Sequence, residues 1–410
     1  MCLIKPHSIQ TAAQISEQFH REYRHLPKVI VRSPGRVNLV GAHVDTHEGW
    51  ILPGTIDRAI WLAAAPGKPK LLRFHAIDAG ESAEISTSDL PQPVPNRLNS
   101  QPNWSDYPAG IAWLLRDRNI ESRGLDIVFG GDLPIGAGVG SSAALEMGLL
   151  LAWESICDFQ LSNVDRARLG MELENRYLGL ASGIMDQFAC LTGEKDSLLY
   201  VDCRSLQHEV IPFPADTSVL VIDSGVRRRL SVSGYNDRVQ ECRQALSTLQ
   251  AHLPQLQTLR DLEPEDFDKH RSLLTEAQQR RVRHVVLECK RVGLAAQALR
   301  QGNLRRLGTL MQQSHASSRD QYEVSTPELD LLVETAVGTE GCYGARLSGG
   351  GFGGCITALI ERKSADEVSD AVRRSFKTRF DRTPEMFTCS LEAGAEIVTC
   401  YNSLLSDSSI

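Results

Sequence analysis

The 410-residue chain is long enough for two large domains or three small ones, at roughly 150 residues per domain. Hydrophobic residues make up 42% and charged residues 23% of the chain, which is typical of soluble globular proteins and excludes disorder, collagen and coiled coil as the main state. The formal charge of −7 and the lack of a long basic block argue against nucleic acid or an anionic membrane as the main partner.

The amino terminus has no basic and then apolar signal pattern, and no segment approaches the roughly 18 apolar residues that a membrane helix needs. We therefore expect a cytoplasmic protein without a membrane span. The ten cysteines are scattered from Cys2 to Cys400 without a CxxC pair, which indicates buried free thiols rather than disulfides or zinc sites. The sequence does not decide between a monomer and a homodimer.

Hydropathy patterns predict the main elements of the fold. In chain order they are a helix at 11–23, a strand at 28–32, a proline-rich connection at 87–103, a strand at 125–129, a buried helix at 142–157, a helix at 171–178, a strand at 218–223, helices at 238–252, 275–301 and 327–337, and a strand at 355–360. The helical texture of the second half predicts a domain boundary near residue 213. We expect a loop with chemical function to begin at Ser33, directly after the first strand.

A glycine-rich loop from Pro134 to Ala144 precedes the buried helix. Alternate glycines let a backbone approach a ligand closely, and the N–H groups of a first helical turn attract an anion such as phosphate. A turn that serves only packing is the alternative. The spacing is not that of a Walker A loop, and no HRD or DFG motif indicates a protein kinase.

A second glycine cluster, Gly349 to Gly354, formally matches GxGxxG. A dinucleotide-binding fingerprint should open a helix, whereas this cluster leads into a β-branched segment that predicts a strand. A dehydrogenase is therefore the weaker interpretation. The better one is a hairpin-like loop, with Gly349, Gly350 and Gly351, that closes over a substrate or phosphate.

Polar residues are concentrated in two other segments. His43, Asp45 and His47 form a pattern that suits a metal ion, a polyhydroxylated ligand or an ordinary solvated loop. No further ligand cluster lies nearby in the sequence, which weakens the metal interpretation. Asp186 lies in an apolar stretch after Gly183 and is either a capping residue or a functional base. Glu174 is either a functional carboxylate or an ordinary solvated residue of a helix.

Taken together, these motifs resemble the galactokinase family of the GHMP kinases, and the resemblance covers nearly the whole chain. The matching segments are Gly35 to Gly41, Pro134 to Ala144, Gly183 to Gln187, Asp202 to Leu206, Arg280 to Val286, Ser314 to Val324 and Arg346 to Gly354. The resemblance implies an α+β, two-lobed GHMP-kinase-like fold with the active site between an N-terminal lobe (1–212) and a C-terminal lobe (213–410). It also implies that ATP phosphorylates the anomeric hydroxyl of a small-molecule sugar.

The family's functional residues can be assigned to positions of this sequence. The resemblance implies that Asp186 is the base and that Arg36 steadies charge beside it, while Ser142 and Glu174 hold Mg²⁺. It further implies sugar contacts from Ala42, His43, Asp45, Gly183 and Tyr235, and ATP contacts from Pro134, Gly136, Gly138, Gly140, Ser141, Ser142 and Trp104. Phosphoryl transfer needs positioning and charge neutralisation more than covalent help, so these residue types suit it.

One position departs from the family pattern. Galactokinases usually carry a glutamate where this chain has Ala42, and Gly41-Ala42-His43 instead resembles galacturonokinases, whose substrate has a carboxylate at C6. We therefore expect D-galacturonate as substrate, with a cation from Arg227 in the Arg227–Arg229 run facing its carboxylate. D-galactose is the alternative, L-arabinose and a 6-deoxy sugar are minor ones, and a catalytically silent sugar sensor is the alternative from another functional class.

Overall fold

The strands of this protein form three sheets in a computed structural model, which describes residues 9–93, 102–226 and 231–400. The strands are β1 (Val29–Asn38), β2 (Trp50–Ile51), β3 (Pro53–Pro66), β4 (Leu71–Ala76), β5 (Glu81–Ser86), β6 (Leu125–Gly131), β7 (Ser197–Asp202), β8 (His208–Pro212), β9 (Thr217–Asp223), β10 (Cys342–Leu347), β11 (Cys355–Glu361), β12 (Glu385–Cys389) and β13 (Glu396–Cys400). The sheets have the strand orders β13-β1-β3-β6-β4-β5, β10-β11-β9-β12 and β2-β7-β8. Neighbouring strands are antiparallel except β4 and β6, which are parallel.

Helices cover the sheets and carry much of the predicted site. They are α1 (Ala12–Tyr23), α2 (Asp106–Asp117), α3 (Ser141–Cys157), α4 (Asn163–Glu172), α5 (Met185–Thr192), α6 (Ser231–Gln250), α7 (Pro264–His270), α8 (Glu276–Arg300), α9 (Leu304–Asp320), α10 (Pro327–Val337) and α11 (Ala365–Phe380). Helix α3 is buried along nearly its whole length and packs against β1 and β3, as its apolar sequence predicts. The mixture of helices and mainly antiparallel sheets confirms the predicted α+β class.

The first strand is longer than predicted, because β1 continues to Asn38 and contains Arg36. The prediction of a loop beginning at Ser33 is therefore wrong. Proline cannot donate a backbone hydrogen bond, but the pairing of β1 with β3 is irregular between Pro34 and Arg36, and this irregularity accommodates it. The backbone N–H of Arg36 donates instead to the carbonyl of Val139, 2.8 Å away in the glycine-rich loop. Arg36 is thus held by a sheet, close to that loop.

The elements predicted at 11–23, 125–129, 142–157, 218–223, 275–301, 327–337 and 355–360 are confirmed with small shifts at their ends, and the helix predicted at 238–252 begins earlier, at Ser231. Most of the proline-rich connection predicted at 87–103 lies outside the described residues. The sequence did not predict helices α2, α7, α9 and α11 or strands β2–β5, β7, β8, β10, β12 and β13. The helix predicted at 171–178 is divided. Helix α4 ends at Glu172, and Leu173–Tyr177 forms a π-helical turn that contains Glu174. Such turns are rare and often occur at functional sites.

The six-stranded sheet combines strands from both halves of the chain. Strand β13, from the carboxyl-terminal part, pairs with β1 from Val29↔Cys400 to Arg32↔Glu396. The four-stranded sheet, by contrast, is built entirely of strands that follow residue 213. The division into lobes 1–212 and 213–410 stays a prediction.

Eight cysteines whose side chains are described are free thiols, and six of them are buried, in agreement with the prediction. None of the helices in the described ranges combines the length and the apolar character needed to span a membrane.

Helix α9 approaches β10 closely at Gly308. A Cβ atom at this position would overlap the carbonyl oxygen of Tyr343, a backbone atom that cannot move without displacing β10. We expect Gly308→Ala to lower the free energy of unfolding by about 2 to 3 kcal/mol, measured by urea denaturation, because overpacking against backbone separates helix from strand.

The matched control is Gly293→Ala in the neighbouring helix α8. Among the described residues, no atom beyond the adjoining residues and the backbone of α8 itself lies within 4 Å of a Cβ built there, so alanine should stabilise the helix by about 0.5 to 1 kcal/mol. Equal effects of the two substitutions would contradict the close approach of α9 to β10.

Candidate active site

A cavity of about 440 Å³ collects most of the predicted site residues. The predicted residues that line it are Arg36, Ala42, His43, Asp45, Trp104, Gly136, Gly138, Gly140, Ser141, Ser142, Glu174, Gly183, Asp186, Tyr235, Gly349 and Gly350. Pro134 is not part of the lining, although Leu133 and Ile135 on either side of it are. Arg227 lies outside the described residues.

An ion pair between Arg36 and Asp186 lies in this cavity. Nε of Arg36 donates to Oδ1 of Asp186 at 2.8 Å, and Nη2 donates to Oδ2, so the pair is bidentate. Arg36 is 3% exposed and the Asp186 side chain 27%. Burial lowers the pKa of Arg36, but the neighbouring Asp186 carboxylate outweighs it and raises that pKa above its ordinary value. A buried cation is therefore held beside a carboxylate that solvent or a ligand can reach.

The glycine-rich loop ends at the first turn of α3. Gly136, Gly138 and Gly140 have φ values of 71°, 85° and 76°, a region that other residues adopt only with strain. The loop is held by its Gly138 carbonyl, which accepts hydrogen bonds from Nη1 of Arg36 at 2.7 Å and from Oγ of Ser348 at 3.1 Å. The N-terminus of α3 thus opens into the cavity, where its N–H groups and dipole favour an anion.

Two carboxyl groups lie behind this helix terminus. Oγ of Ser142 donates to Oε1 of Glu174 at 3.3 Å, and Glu174 is 7% exposed. Burial raises the pKa of Glu174, and the charge of Asp186 adds to this effect. Glu146, fully buried on α3, accepts from the amide of Gln187 at 3.0 Å, and burial together with Glu174 raises its pKa well above the ordinary value.

This arrangement suits a magnesium ion. The described residues contain no cluster of three or more His, Cys, Asp or Glu side chains able to hold a metal ion. Mg²⁺ usually takes only one or two protein carboxylates and completes its shell with water and substrate phosphates. The Ser142 hydroxyl and the Glu174 carboxylate could supply such oxygen ligands beside the predicted phosphate loop, and a cation would stabilise the charged form of Glu174, whose pKa is raised by burial and by Asp186.

Polar groups of the segment after β1 face the same cavity. Oδ2 of Asp45 accepts from the backbone N–H of Met185 at 3.3 Å, and a side chain at Gly183 would overlap the Asp45 carboxylate, so this glycine allows the close approach. Burial and the nearby Asp186 charge raise the pKa of Asp45 to about 6. The segment therefore presents a hydrogen-bond acceptor close to Asp186.

His43 and Tyr235 form an aromatic wall. The His43 ring stacks on Tyr322 with centroids 4.7 Å apart and lies 5.8 Å from the Tyr235 ring. Burial lowers the pKa of His43 well below its usual value, so the imidazole is neutral. Its ring nitrogens make no regular hydrogen bond with the described residues, although the Gly350 backbone lies nearby. A ligand hydroxyl would satisfy such a group.

The backbone at Ala42 is held from outside the cavity. The N–H groups of Gly41 and Ala42 donate to Oε1 of Glu288 at 2.8 and 2.9 Å. The carbonyl of Ala42 contacts Nε2 of His284 at 3.0 Å. The Ala42 methyl group is 3% exposed and lines the cavity. This position is therefore rigid, and its side chain offers no hydrogen-bond acceptor.

Trp104 lines the cavity together with other large apolar side chains. Its indole N–H donates to the Glu81 carboxylate at 2.8 Å. Its ring packs edge to face on Phe129, with the two ring centroids 5.6 Å apart. Ile60, Phe129 and Ile135 extend the apolar lining. A wall of this kind suits a flat aromatic ligand such as a nucleobase.

The second glycine cluster connects β10 to its antiparallel partner β11. It leads into a strand, as predicted, which argues against a dinucleotide fingerprint. Gly349 and Gly350 face the cavity, whereas a side chain at Gly351 would overlap the carbonyl of Val324. Gly351 thus contacts protein rather than the cavity.

Several residues at the site were not identified from the sequence. They are Asn38, Glu146, Gln187, Asn236, Arg346 and Ser348. Glu146 and Gln187 occur in helices with apolar neighbours, and a charged or amide group there was the available signal. Arg346 and Ser348 directly precede the glycine cluster.

Family models match three segments of the chain. They describe the GHMP kinases N terminal domain at residues 106–194, the GHMP kinases C terminal domain at 295–378 and the galactokinase galactose-binding signature at 17–66. The chain is 37% identical over 381 residues to the galactokinase of Roseiflexus sp. (strain RS-1), covering 93% of this chain and 96% of the relative. It is also 37% identical over 380 residues to the galactokinase of Chloroflexus aggregans, with the same coverage of 93% and 96%.

The fold has solved counterparts. The crystal structure of Lactococcus lactis galactokinase complexed with galactose matches with a TM-score of 0.86 at 30% identity, over 94% of this chain and 99% of that one. Mevalonate kinase of Methanococcus jannaschii matches with a TM-score of 0.57 at 18% identity, over 89% and 98%, and shares the fold alone. The predicted GHMP-kinase fold is confirmed. From these similarities over nearly its whole length, the chain belongs to the galactokinase family of the GHMP kinases.

Proposed function

We propose that this protein is an ATP-dependent sugar kinase that phosphorylates the anomeric hydroxyl of a galacto-configured sugar. The observation that supports it most is the Arg36–Asp186 ion pair, which lies in one cavity with the N-terminus of α3. A carboxylate beside a buried cation, next to an anion site, suits transfer of a phosphoryl group to a hydroxyl. The galactokinases among its relatives give the proposal independent support.

In the proposed reaction Asp186 accepts the proton of the C1 hydroxyl. The C1 oxygen forms a bond to the γ-phosphorus of ATP, the bond from that phosphorus to the bridging oxygen of the β-phosphate breaks, and ADP leaves with the electron pair. Arg36 orients Asp186 and stabilises negative charge that develops on the transferred group. Positioning supplies most of the rate enhancement, because the transition state is loose.

The remaining residues bind the two substrates. Gly136, Gly138, Gly140 and Ser141 surround the ATP phosphates, and Trp104 lies against the adenine. Ser142 and Glu174 would hold Mg²⁺, which neutralises phosphate charge when it is bound. His43, Asp45, Gly183 and Tyr235 contact sugar hydroxyls, and the loop that begins at Gly349 closes over the site between the two proposed lobes.

The proposed substrate is D-galacturonate, and D-galactose is the second candidate. Ala42 favours galacturonate, because it leaves room for a C6 carboxylate and provides no acceptor for a 6-hydroxyl. The relatives named galactokinase and the galactose-binding signature favour galactose. ADP release measured with galacturonate, galactose, L-arabinose and fucose separates these candidates, and the absence of ADP release with every sugar would favour a silent sensor.

We expect Asp186→Asn to reduce kcat by about 10²- to 10⁴-fold while changing ATP affinity only a few-fold, because it removes a base and preserves shape. The measurement is steady-state ADP release together with ATP binding. The control is Asp126→Asn, which removes the carboxylate of another bidentate arginine pair, with Arg73, outside the cavity. That variant should lose stability but keep kcat, and more than about a tenth of the wild-type kcat in Asp186→Asn would contradict the assignment.

Glu174→Ala should raise the Mg²⁺ concentration needed for half-maximal activity by about tenfold or more, because the proposed site loses its only protein carboxylate. Glu172→Ala is the matched control. It lies two positions earlier, where it pairs with Arg118 and Arg176, and should leave the metal titration unchanged. Identical Mg²⁺ titrations for the two variants would show that Glu174 is not a metal ligand.

Asp45→Asn should stabilise the protein at pH 8 while raising the KM for the sugar. The pKa of Asp45 is about 6 in the folded protein and 3.8 in the unfolded chain. Between pH 3.8 and pH 6 folding therefore takes up a proton, and the free energy of unfolding falls as the pH rises through this window. The amide removes this cost, about 3 kcal/mol at pH 8, and the gain should vanish toward pH 4. Thermal unfolding against pH, with the exposed Asp89→Asn as control, measures it; a gain independent of pH would contradict this explanation.

Ala42→Glu should reverse the substrate preference. Two like charges about 4 Å apart at an effective dielectric near 20 repel by roughly 4 kcal/mol, or about three decades of affinity. We expect kcat/KM for galacturonate to fall and that for galactose to rise, because the new carboxylate accepts a hydrogen bond from the 6-hydroxyl. A wild-type enzyme that prefers galactose tenfold or more would contradict the galacturonate assignment.

A further inference from the structure

A short segment, residues 179–183, connects the π-helical turn that contains Glu174 to α5, which carries Asp186. The segment belongs to neither a helix nor a strand, so no regular ladder of backbone hydrogen bonds satisfies its polar groups. It ends at Gly183, which adjoins the Asp45 carboxylate, and leads directly into the first turn of α5. The position of the proposed base therefore depends on what holds this segment.

The side chain of Asn236, on α6, holds the middle of the segment. Its Oδ1 accepts from the backbone N–H of Ala181 at 2.9 Å, and its Nδ2 donates to the carbonyl of Gly179 at 3.2 Å. A backbone N–H can only donate and a carbonyl can only accept, so these partners fix the orientation of the amide. The side chain thus pairs with the segment as the peptide group of a neighbouring strand would.

Other contacts of the segment come from residues close to it in the chain. The backbone N–H of Leu180 donates to the carbonyl of Glu174 at 2.8 Å. Nδ2 of Asn175 donates to the carbonyl of Ser182 at 3.0 Å. Asn236 adds two hydrogen bonds from a helix that lies in the second half of the chain. It therefore ties the segment to a distant part of the structure.

The position of Asn236 in α6 indicates that this contact has a purpose beyond the helix. Asparagine is a poor residue for a helix interior, because its side chain competes for backbone hydrogen bonds. Asn236 lies inside α6 and directs its amide to backbone groups 55 and 57 residues earlier. It also lines the cavity, but both ends of its amide are engaged with backbone. This points to a positioning role rather than to contact with a ligand.

The residues just before Asn236 connect the contact to the rest of the site. Tyr235 lines the cavity, with its ring 5.8 Å from that of His43. A Cβ atom at Gly234 would lie 2.9 Å from the ring of Phe352, in the second glycine cluster. Three successive residues of α6 therefore adjoin the glycine cluster, the proposed sugar site and the segment before the proposed base.

We propose that Asn236 is a positioning residue for the proposed base. Its amide fixes the backbone that leads to Asp186, so that the carboxylate meets the substrate hydroxyl in reactive geometry. This inference rests on the proposed kinase function and deepens it. A misplacement of about 1 Å can cost roughly 100-fold in rate, so two hydrogen bonds that fix this backbone can matter without touching substrate.

The first test is Asn236→Asp, which preserves the shape and the acceptor for Ala181 but turns a carboxylate oxygen toward the Gly179 carbonyl. We expect kcat to fall by about 10- to 100-fold while the KM values for sugar and ATP change by less than about threefold. Asn236→Leu, of similar size and without charge, should show at least the same loss of kcat. It separates lost positioning from added charge, and it is the second variant if Asn236→Asp does not fold.

Asn303→Ala is the control for a general loss of stability. The side chain of Asn303 caps α9 by accepting from the backbone N–H of Arg306 at 3.0 Å. Its removal should lower the midpoint of thermal unfolding and leave kcat unchanged. A raised KM for the sugar with an unchanged kcat in both Asn236 variants would make Asn236 a substrate ligand and overturn the inference.

The second test asks whether Asn236 acts through the base. In an Asp186→Asn background, Asn236→Asp should lower the remaining rate by less than about twofold, because the group that it positions is already lost. Single-turnover measurements give these low rates. An undiminished loss of tenfold or more in that background would show that Asn236 acts elsewhere, which would overturn the inference.

Hydrogen exchange tests the contact without reference to turnover. In the wild type the amide of Ala181 should exchange about 100-fold more slowly than in an unstructured peptide, although it lies in no helix or strand. In Asn236→Leu, exchange across residues 179–186 should become about tenfold faster, while that of α3 stays unchanged. Unchanged exchange in the segment, or equal acceleration throughout the chain, would overturn the inference.

Failure of the inference and failure of the proposed function are distinguishable. Absence of ADP release from the wild type with every sugar would overturn the kinase function, and with it the role of Asp186 as a base. Normal wild-type turnover with an unchanged kcat in Asn236→Asp and Asn236→Leu would overturn only the inference about Asn236.

Discussion

The guanidinium of Arg36 joins three parts of the chain that are far apart in sequence. It binds both carboxylate oxygens of Asp186, 150 residues away, and the carbonyl of Gly138, 102 residues away. Its own backbone N–H donates to Val139, so main chain and side chain both hold the glycine-rich loop against β1. Loss of this contact would leave a buried charge unpaired and release the loop, which makes the geometry of the whole cavity depend on it.

A second buried network holds the segment after β1. The carboxylate of Glu288 on α8 accepts hydrogen bonds from two backbone N–H groups, from the Ser314 hydroxyl and from the Arg291 guanidinium. His284, on the same helix, contacts the carbonyl of Ala42. A polar network of this kind is rigid when its members are satisfied. The satisfied groups therefore form the scaffold of the site, whereas the unsatisfied ones, Nε of Arg346 and the ring nitrogens of His43, belong to residues that line the cavity.

Acidic side chains are crowded in and beside the cavity. Asp45, Glu146 and Glu174 all have raised pKa values, because burial disfavours their charged forms and each feels another carboxylate nearby. This crowding costs stability in the unliganded protein. It suits the cation and the sugar hydroxyls of the proposed function, and it would then be the usual exchange of stability for function at a binding site.

Local patterns in the sequence were sufficient for much of the fold and for part of the site. The apolar run of α3 predicts a buried helix from its own composition, and the glycines before it predict an anion site, because backbone freedom and helix capping depend on residues close in the chain. The order of the motifs, including Arg36 and Asp186, indicated the family. The predicted end of β1 was wrong, because the irregular pairing of β1 with β3 tolerates Pro34 within the strand.

The tertiary structure alone decided which charged groups are paired. Glu146 and Gln187 lie 41 residues apart and meet only when α5 packs on α3. Arg346 and Asn38 lie 308 residues apart, and whether that arginine has a counter-ion depends on Glu288 from a third segment. Burial and electrostatic partners are sums over neighbours in space, whereas propensity and hydrophobic period are properties of neighbours in sequence. The sequence by itself thus determined several of the elements and the family of this protein, and only packing decided which charged groups lie unpaired beside the cavity.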